Sequence, residues 1–262
     1  MATVQTTAGG PVLVISEDEW NELTSFIING EPLSDPVHRS LVDAHILDDS
    51  SDPTPTALEA LSAAYSVRSR FQALDVRPHS AQVVEAWISS RSTTIAKHSN
   101  DGVHLYALPP EEVPSVFGQF LDLMPRPSVH EGPILMSVEL LEGLYSADGA
   151  RCDQVLQAAA QAGGDDSALA RELQSGQWTL NLLTTDALAA MNDNGEDLSA
   201  AGVRQWETTD MIITLGVPSC LYAIVVVPEE AQAELGLSEP ALFVDPTTAP
   251  PVWATITQWL FA

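Results

Sequence analysis

The sequence predicts an α/β (α+β) protein in which mostly antiparallel strands are combined with helices. The first observation is a pair of apolar runs, Met211–Val217 and Leu221–Val227, that flank Pro218-Ser219. Runs rich in β-branched residues around a proline-containing turn are typical of a strand hairpin. The second observation is a series of three strand patterns between Gln82 and Leu108. Because helical patterns precede and follow each group of strands, we expect two halves with the same order of elements.

The hairpin at 211–227 is the predicted middle of the fold. Neither run alternates apolar with polar residues, so we expect both strands to be covered on both faces. A helix is the alternative for a short apolar run. Gly216, Pro218 and the three consecutive valines at 225–227 disfavour that alternative.

The first half begins with residues 1–11, which we expect to form a flexible tail, and continues with a short strand at 12–15. Ser16 is the predicted N-cap of a helix, because Glu19 stands three residues later in the capping-box arrangement. Asn29-Gly30 ends this helix. Its buried face carries Trp20, Leu23, Phe26 and Ile27 at helical spacing.

Two further helices follow. One carries Val37 and Leu41 and is predicted to end near Ile46-Leu47, and the next is capped by Thr54 or Thr56. Two helices joined by a tight turn are also the layout of a DNA-reading helix-turn-helix module. Residues 56–63 of the second helix contain no Arg, Lys, Asn or Gln with which to read bases, so packing is favoured over DNA reading.

An antiparallel meander completes the first half, with strands predicted at 83–88, 93–99 and 103–108. Asn100-Asp101-Gly102 favours a tight hairpin turn between the last two, because Asp-Gly tolerates positive φ angles. A helix over 113–124 closes the half. His98 and His104 flank the turn, but a metal site needs a third ligand, so we assign no metal.

Residues 125–133 form the predicted linker between the halves. The second half is predicted to contain, in order, helices at 138–145, 153–162 and 167–173, a strand at 178–183, a helix at 186–191, a polar loop at 193–202, the hairpin, a strand at 241–244 and a last helix from Pro250-Pro251.

Charge is the most informative property of the composition. Asp and Glu total 36 against 10 Lys and Arg, a formal net charge of −26. Nucleic acid and anionic membranes are therefore unsuitable partners, since both attract clustered cations. Three readings of the acidity stay open: solubility, adaptation to a salty cytoplasm, and a carrier that must not aggregate while it holds an apolar client.

Nothing in the sequence predicts a membrane span or an exported protein. Apolar residues make up 45% of the chain, and no apolar segment reaches the roughly 18–20 residues that span a bilayer. Residues 1–10 carry no basic cluster, so they do not form a secretory signal. We therefore expect a folded cytoplasmic protein.

The motif content predicts no catalytic, cofactor or metal site. Lys97 is not preceded by the glycine of a phosphate loop, and no dinucleotide, nucleophile-elbow or zinc-protease string occurs. Residues 192–195 suggest a calcium loop, but Ala190 and Ala201 stand where its acids should be. Cys152 and Cys220 are too few for a disulfide framework and are expected to be inert. We therefore expect a protein that is not an enzyme.

Two strings in the first half resemble the EspG family, the cytosolic chaperones of type VII (ESX) secretion. Leu41–Asp49 ends a helix with Ile46-Leu47-Asp48, and Pro53–Leu61 carries Leu58 and Leu61 on the helix that leads into the first sheet. The acidic composition and the closing C-terminal helix also fit that family.

The resemblance implies a single domain over residues 12–262, with halves at about 12–124 and 134–262. It implies a central, mostly antiparallel sheet with flanking helical bundles and pseudo-twofold symmetry. It also implies a chaperone that binds a helical secreted protein or heterodimer of the PE–PPE type through the PPE subunit, as a monomer or weak dimer. The connection at Ser90–Ser92 is short, whereas some family members carry a long client-contacting loop there.

The partner surface is expected to be an apolar patch rimmed by polar groups. The candidate partner-binding residues are Leu140, Leu144, Val155, Leu156 and Trp178. Ordinary core packing is the alternative for each of them. Two other functions remain open: a hydrolase with acidic catalytic residues, which a pocket of convergent carboxylates and a histidine would favour, and an acidic scaffold or nucleic-acid mimic, which a regular row of acids would favour.

Overall fold

A computed structural model of the chain describes residues 2–123, 126, 132–146, 148–162, 165–189, 205–237 and 239–261. The elements of the first half are β1 (Thr3–Thr7), β2 (Gly10–Ile15), α1 (Glu17–Asn29), α2 (Asp35–Asp43), α3 (Pro55–Leu61), β3 (Ser69–Arg77), β4 (Ser80–Ile88), β5 (Thr93–Ser99), β6 (Gly102–Leu108) and α4 (Val113–Phe120). Short 3₁₀ turns lie at Ala64–Ser66 and Pro110–Glu112.

The second half repeats this order. Its elements are β7 (Ile134–Ser137), α5 (Val138–Leu144), α6 (Gly149–Ala162), α7 (Asp165–Leu173), β8 (Thr179–Ala189), β9 (Gln205–Val217), β10 (Cys220–Val226), α8 (Glu229–Leu235), β11 (Ala241–Thr247) and α9 (Ala249–Phe261). From β2 onward the first half has one strand, three helices, four strands and a closing helix. The second half has the same order with α8 inserted, and β1 has no counterpart in the described part of the second half.

Strand pairing repeats in the same way. In the first half β2 pairs with β6, the last strand of the meander, and in the second half β7 pairs with β11. Both pairs are antiparallel, as are β4–β5, β5–β6, β9–β10 and β10–β11. The predicted fold class, an α/β protein with a mostly antiparallel sheet and two halves of the same plan, is confirmed.

The described strands form one sheet in the order β1-β2-β6-β5-β4-β3-β8-β9-β10-β11-β7. The hairpin of β9 and β10 lies inside this sheet, as expected. The sixth strand of the order is β3, however, so the hairpin is not at the centre. Its outer end is also less covered than predicted, because Met211, Val225 and Val226 are all more than half exposed.

The chain falls into two compact units that do not follow the linker at 125–133. Unit 1 contains residues 1–73, 83–117 and 184–210, and unit 2 contains 74–82, 118–183 and 211–262. Each unit thus includes a segment from the other half of the sequence. That residues 12–262 form a single domain stays a prediction.

Unit 1 has a hydrophobic core made by β2, α1, α2, α3 and the β4–β6 meander. Trp20, Leu23 and Leu41 are buried in it, as their helical spacing predicts. Ser16 caps α1 as predicted: its Oγ accepts from the Glu19 backbone amide at 3.2 Å, and the Glu19 carboxylate accepts from the Ser16 amide at 2.7 Å. The capping box therefore fixes where the helix begins.

Unit 2 has its own core, made by α5, α6 and α7 with strands of the second half. Met136, Leu180, Leu215 and Val244 are buried there together with helix residues described below. Asn181 lies in the same interior, where its Nδ2 donates to the Leu121 carbonyl at 3.1 Å. A buried amide is tolerated because it makes such bonds.

Three element predictions are wrong. Residues 3–7, placed in a flexible tail, form β1, which pairs with β2 from Thr3↔Val14 to Thr7↔Gly10. The helix of Val37 and Leu41 ends at Asp43 rather than near 46–47, because His45 has a φ of 56°, which no α-helix continues. Residues 186–189 belong to β8, not to a helix, while the rest of the predicted helix and the 193–202 loop lie outside the described residues.

Three further elements were not predicted: β3, β7 and α8. The strand β3 contains three charged residues, and β7 is only four residues long, so neither gives a clear strand pattern. Most other predicted elements agree with the structure within a few residues at their ends.

Candidate functional site

A cavity with a volume of about 390 Å³ lies in unit 2. It is bounded by the turn between β3 and β4, by the end of α5, by one face of α6 and by the segment after α7. Its apolar lining consists of Leu144, Leu156, Leu173 and Trp178. Polar side chains of Arg77, His79, Asp153 and Gln157 lie around them. We call this the helical cavity. Its volume falls within the range of about 300–1,000 Å³ that is usual for ligand pockets.

The polar side of the helical cavity comes from the β3–β4 turn. Arg77 donates from Nε to Asp75 Oδ1 at 2.7 Å, and its side chain is 46% exposed. Burial raises the pKa of the Asp75 carboxyl, and the Arg77 guanidinium opposes this effect. His79 occupies the turn with a φ of 65°. Arg77 is therefore held at the rim by a buried carboxylate.

Two glycines allow the walls of the cavity to approach each other. An ideal Cβ on Gly149, the first residue of α6, would lie 2.5 Å from Nδ1 of His79. A Cβ on Gly143 of α5 would lie 2.8 Å from Cγ1 of Val155 on α6. A Cβ at Gly143 would require the Val155 side chain to shift, and a Cβ at Gly149 would require the exposed His79 ring to move, so the two glycines permit the close approach of these walls.

The electrostatics of the cavity do not favour a nucleophile. Burial raises the pKa of the Cys152 thiol, and the neighbouring Asp153 carboxylate raises it further. The thiolate, which is the reactive form, is therefore disfavoured. No hydrogen bond links Asp153 to His79 in the part of the chain that the structure describes, so the lining does not form an acid–base pair.

The structure brings the five predicted partner-binding residues together in unit 2. Leu140, Leu144, Leu156 and Trp178 are buried, and Val155 packs against the same core while remaining partly exposed. Three of the five, Leu144, Leu156 and Trp178, line the helical cavity. Leu140 does not line it and is a core residue. Their role in partner binding stays a prediction.

The structure also places the cysteines and histidines that the sequence singled out. Cys152 and Cys220 are both buried. His98 contacts Glu17, and His104 contacts Asp101, each through one ring nitrogen. Among the described residues, no group of three or more His, Cys, Asp or Glu side chains could hold a metal ion. The suggested calcium loop at 192–195 lies outside the described residues.

Sequence reasoning missed the exposed apolar side chains of unit 2. Met211 and Val225 are each 55% exposed, Val226 is 60% exposed, and Leu235 of α8 is 50% exposed. The first three belong to the hairpin runs that were expected to be covered. Continuous apolar runs do not distinguish a buried strand from one whose end is open, so no local signal marked these positions.

Comparison with known proteins shows a likeness of structure only. No protein-family model and no curated protein matches the chain. The chain is similar to a solved structure, that of the Mycobacterium tuberculosis type VII secretion system chaperone EspG5 in complex with the PE25–PPE41 dimer. The match covers 95% of this chain and 95% of the matched chain, with a TM-score of 0.55 and 11% sequence identity. At this identity the match shows the fold. The chain therefore has the fold of the family that it was expected to resemble.

None of the described helices is both long and apolar enough to cross a lipid bilayer.

Proposed function

We propose that the protein is a cytoplasmic chaperone for type VII secretion that binds a helical client of the PE–PPE type and keeps it from aggregating. The observation that carries the proposal is the match to EspG5 over 95% of both chains. EspG5 was solved in complex with a PE–PPE dimer, and a common fold over the full length supports a common kind of partner. The oligomeric state proposed for the chain is a monomer or weak dimer.

The helical cavity is the proposed docking site for the client. Its apolar floor, formed by Leu156 and Trp178, would receive one large apolar side chain from a client helix. The polar groups at its rim would bond the polar residues on either side of that anchor. A central apolar anchor inside a polar rim is how most protein interfaces gain their binding energy.

The acidic surface suits this role. A chaperone that carries an apolar client must stay dispersed, and a net charge of −26 opposes self-association through mutual repulsion. The same charge disfavours nucleic acid and anionic membranes as competing partners. In the proposed function, the negative charge therefore serves to keep the chaperone soluble.

Binding without catalysis is the proposed activity. A hydrolase with acidic residues would need convergent carboxylates and a histidine in one pocket. The lining of the helical cavity includes Asp153 and His79, which share no hydrogen bond in the described part of the chain. The match to a chaperone further supports a protein that is not an enzyme.

Co-purification with one substitution at the cavity tests the proposal. The tagged chain is expressed in its native cell, and we expect a stoichiometric pair of small helical proteins to co-purify with it. Gln157→Trp places a large ring at the cavity lining from an exposed position of α6, so it should reduce recovery of the pair at least tenfold without unfolding the chain.

The matched control is Gln154→Trp, which adds the same ring to an exposed position of α6 that does not line the cavity. Recovery with this variant should equal that of the unmodified chain. If no helical pair is recovered, the chaperone function is wrong. If a pair is recovered equally with both variants, the function stands and the helical cavity is not its docking site.

A further inference from the structure

Unit 1 contains a second pocket whose chemistry differs from that of the helical cavity. It lies between α1 and a face of the sheet and has a volume of about 210 Å³. Three tryptophans line it, Trp20, Trp87 and Trp206, together with Arg70, Glu85 and His98. We call it the tryptophan pocket. The side of α1 that faces it is polar and carries Asn21, Thr24 and Ser25.

The three indole rings form a continuous aromatic wall. The ring centroids of Trp20 and Trp87 are 5.2 Å apart with the planes at 65°, and those of Trp87 and Trp206 are 5.5 Å apart at 83°. Such edge-to-face contacts hold the rings in place. Trp20 and Trp87 are only 2% and 1% exposed, whereas Trp206 is partly exposed, so Trp206 is the indole that a ligand would mainly contact. Aromatic rings attract cations through their faces, and tryptophan does so most strongly.

The charges beside this wall leave an excess of negative charge. Arg70 donates from Nε and Nη2 to Asp186 Oδ2 at 2.9 and 2.7 Å. Its guanidinium carbon lies 4.8 Å from the Trp206 ring centroid. The Glu85 carboxylate lies 3.7 Å from Nη1 of Arg70. One guanidinium therefore faces two carboxylates. Because Asp186 takes both short bonds, Arg70 does not fully neutralise Glu85, which lines the pocket.

Glu85 is held in position rather than free to turn away. Its Oε1 accepts from Gln72 Nε2 at 3.0 Å, and its Oε2 accepts from Trp87 Nε1 at 2.8 Å. A carboxylate has about four acceptor positions, so two such bonds leave capacity for a further donor. The carboxylate is thus a fixed acceptor with negative charge at the pocket.

His98 adds a second acceptor. Its Nδ1 lies 2.9 Å from Glu17 Oε1, and a neutral imidazole in that contact carries its proton on Nδ1. The other nitrogen, Nε2, is then an acceptor. Nε2 is buried and has no hydrogen-bond partner in the part of the chain that the structure describes. A buried polar atom without a partner beside a pocket is the kind of atom that a ligand satisfies.

We propose that the tryptophan pocket binds an organic cation that carries N–H donors, a guanidinium or an alkylammonium group. The ligand donates to His98 Nε2, its charge is offset by Glu85, and its apolar stem packs on Trp206. This chemistry is found both in free amines and guanidines and in the arginine or lysine side chain of a protein. The site is separate from the helical cavity and does not depend on the proposed chaperone function.

Two probes of the same shape and different charge test the proposal. N-acetyl-L-arginine amide carries a guanidinium, and N-acetyl-L-citrulline amide carries a neutral ureido group in its place. Each is titrated into the ¹⁵N-labelled full-length protein at low salt, and the indole N–H signals are assigned with single Trp→Phe variants. The arginine probe should shift the signals of Trp20, Trp87 and Trp206 in a saturable way and bind at least tenfold more tightly than the citrulline probe.

Two variants locate the binding. Glu85→Gln removes the charge and keeps the acceptor for Trp87, and Ser25→Leu fills the pocket from α1; each should weaken the arginine probe at least tenfold. Glu111→Gln removes an exposed carboxylate elsewhere in unit 1 and should leave the affinity unchanged. Equal affinity for the two probes, no saturable shift, or affinity unaffected by both pocket variants would overturn the proposal.

The source of the cation is distinguished by a third probe. A helical peptide that presents one arginine is compared with the same peptide carrying citrulline. Peptide affinity at least tenfold above that of the free arginine probe assigns the pocket to a protein side chain, and equal affinity assigns it to a small free cation.

Discussion

Replacement of Arg70 by methionine should be the most destabilising single charge removal in unit 1. Arg70 bonds Asp186 through two nitrogens at 2.7 and 2.9 Å and lies 3.7 Å from Glu85. The side chains of Asp186 and Glu85 are only 3% and 7% exposed. Methionine fills a similar volume but leaves both carboxylates without their cation. Among the described residues, Asp186 then keeps its bond from the Thr208 hydroxyl at 2.8 Å.

The expected loss follows from the cost of a buried charge without its partner. Removing one member of a buried ion pair costs about 3–5 kcal/mol. For a chain of this size each kcal/mol lowers Tm by about 2–4 °C, so Arg70→Met should lower Tm by about 6–20 °C. Arg39→Met, at an exposed position whose Nε bonds only the Asp35 carbonyl, should change stability by less than about 0.5 kcal/mol.

Thermal and urea unfolding, followed by tryptophan fluorescence, measure both variants. Asp186→Asn is added to complete a double-mutant cycle, and it should cost less in the Arg70→Met background than alone because the carboxylate is already unpaired there. If Arg70→Met costs no more than Arg39→Met, or if the two substitutions at 70 and 186 are additive, the ion pair does not hold β3 and β8 in place.

The remaining predictions concern the capping box and the contact between α5 and α6. Burial raises the pKa of Glu19, but hydrogen bonds from Ser40 and the N-cap serine outweigh it and hold that pKa below 4.5. Folding thus favours the ionised form, so Glu19→Gln should be less stable than the unmodified chain at pH 7. Urea titrations should show that this difference in stability shrinks as the pH falls below 4.5. A difference that stays constant with pH would contradict this prediction. Gly143→Ala should lower the free energy of unfolding by about 1–3 kcal/mol, because its Cβ would lie 2.8 Å from Val155. Gly9→Ala is the control, since the nearest atom to its Cβ is 3.8 Å away, and it should change stability little in the same assay. Equal losses of stability in the two variants would contradict the packing role of Gly143.

Local signals in the sequence predicted the ends of elements and their order. Ser16 and Glu19 form the capping box they suggested, and Gly30 ends α1 with a φ of 68°. The Asn100-Asp101 turn joins β5 to β6 as expected, with Ser99 paired to Gly102. These features depend on neighbours within a few residues, so the sequence contains all the information they need.

Features that depend on distant partners were not predictable. Asp186-Ala187-Leu188-Ala189 has high helix propensity, yet these residues lie in β8, and Asp186 bonds Arg70, which is 116 residues away in sequence. The strand β3 was missed for a similar reason, since it contains three charged residues that form ion pairs in the structure. Tertiary pairing overrides local propensity in both strands.

The candidate site was predicted only in part. The apolar spacing that placed Leu144, Leu156 and Trp178 on interior faces is visible in the sequence, and the three meet at the helical cavity. Whether an apolar residue borders a cavity or lies in the core depends on how closely helices pack, which here depends on Gly143 and Gly149. The tryptophan pocket had no sequence signal, because its lining comes from α1 and from strands more than 100 residues apart.

The solubility of the client is the most direct test of the proposed chaperone function. The PE–PPE-type pair recovered with the chain is expressed alone, with the unmodified chain, and with Gln157→Trp, and the soluble fraction of the pair is measured after centrifugation. We expect the pair to be mostly soluble with the unmodified chain and mostly aggregated alone. A pair that is equally soluble in the absence and presence of the chain would contradict a chaperone function.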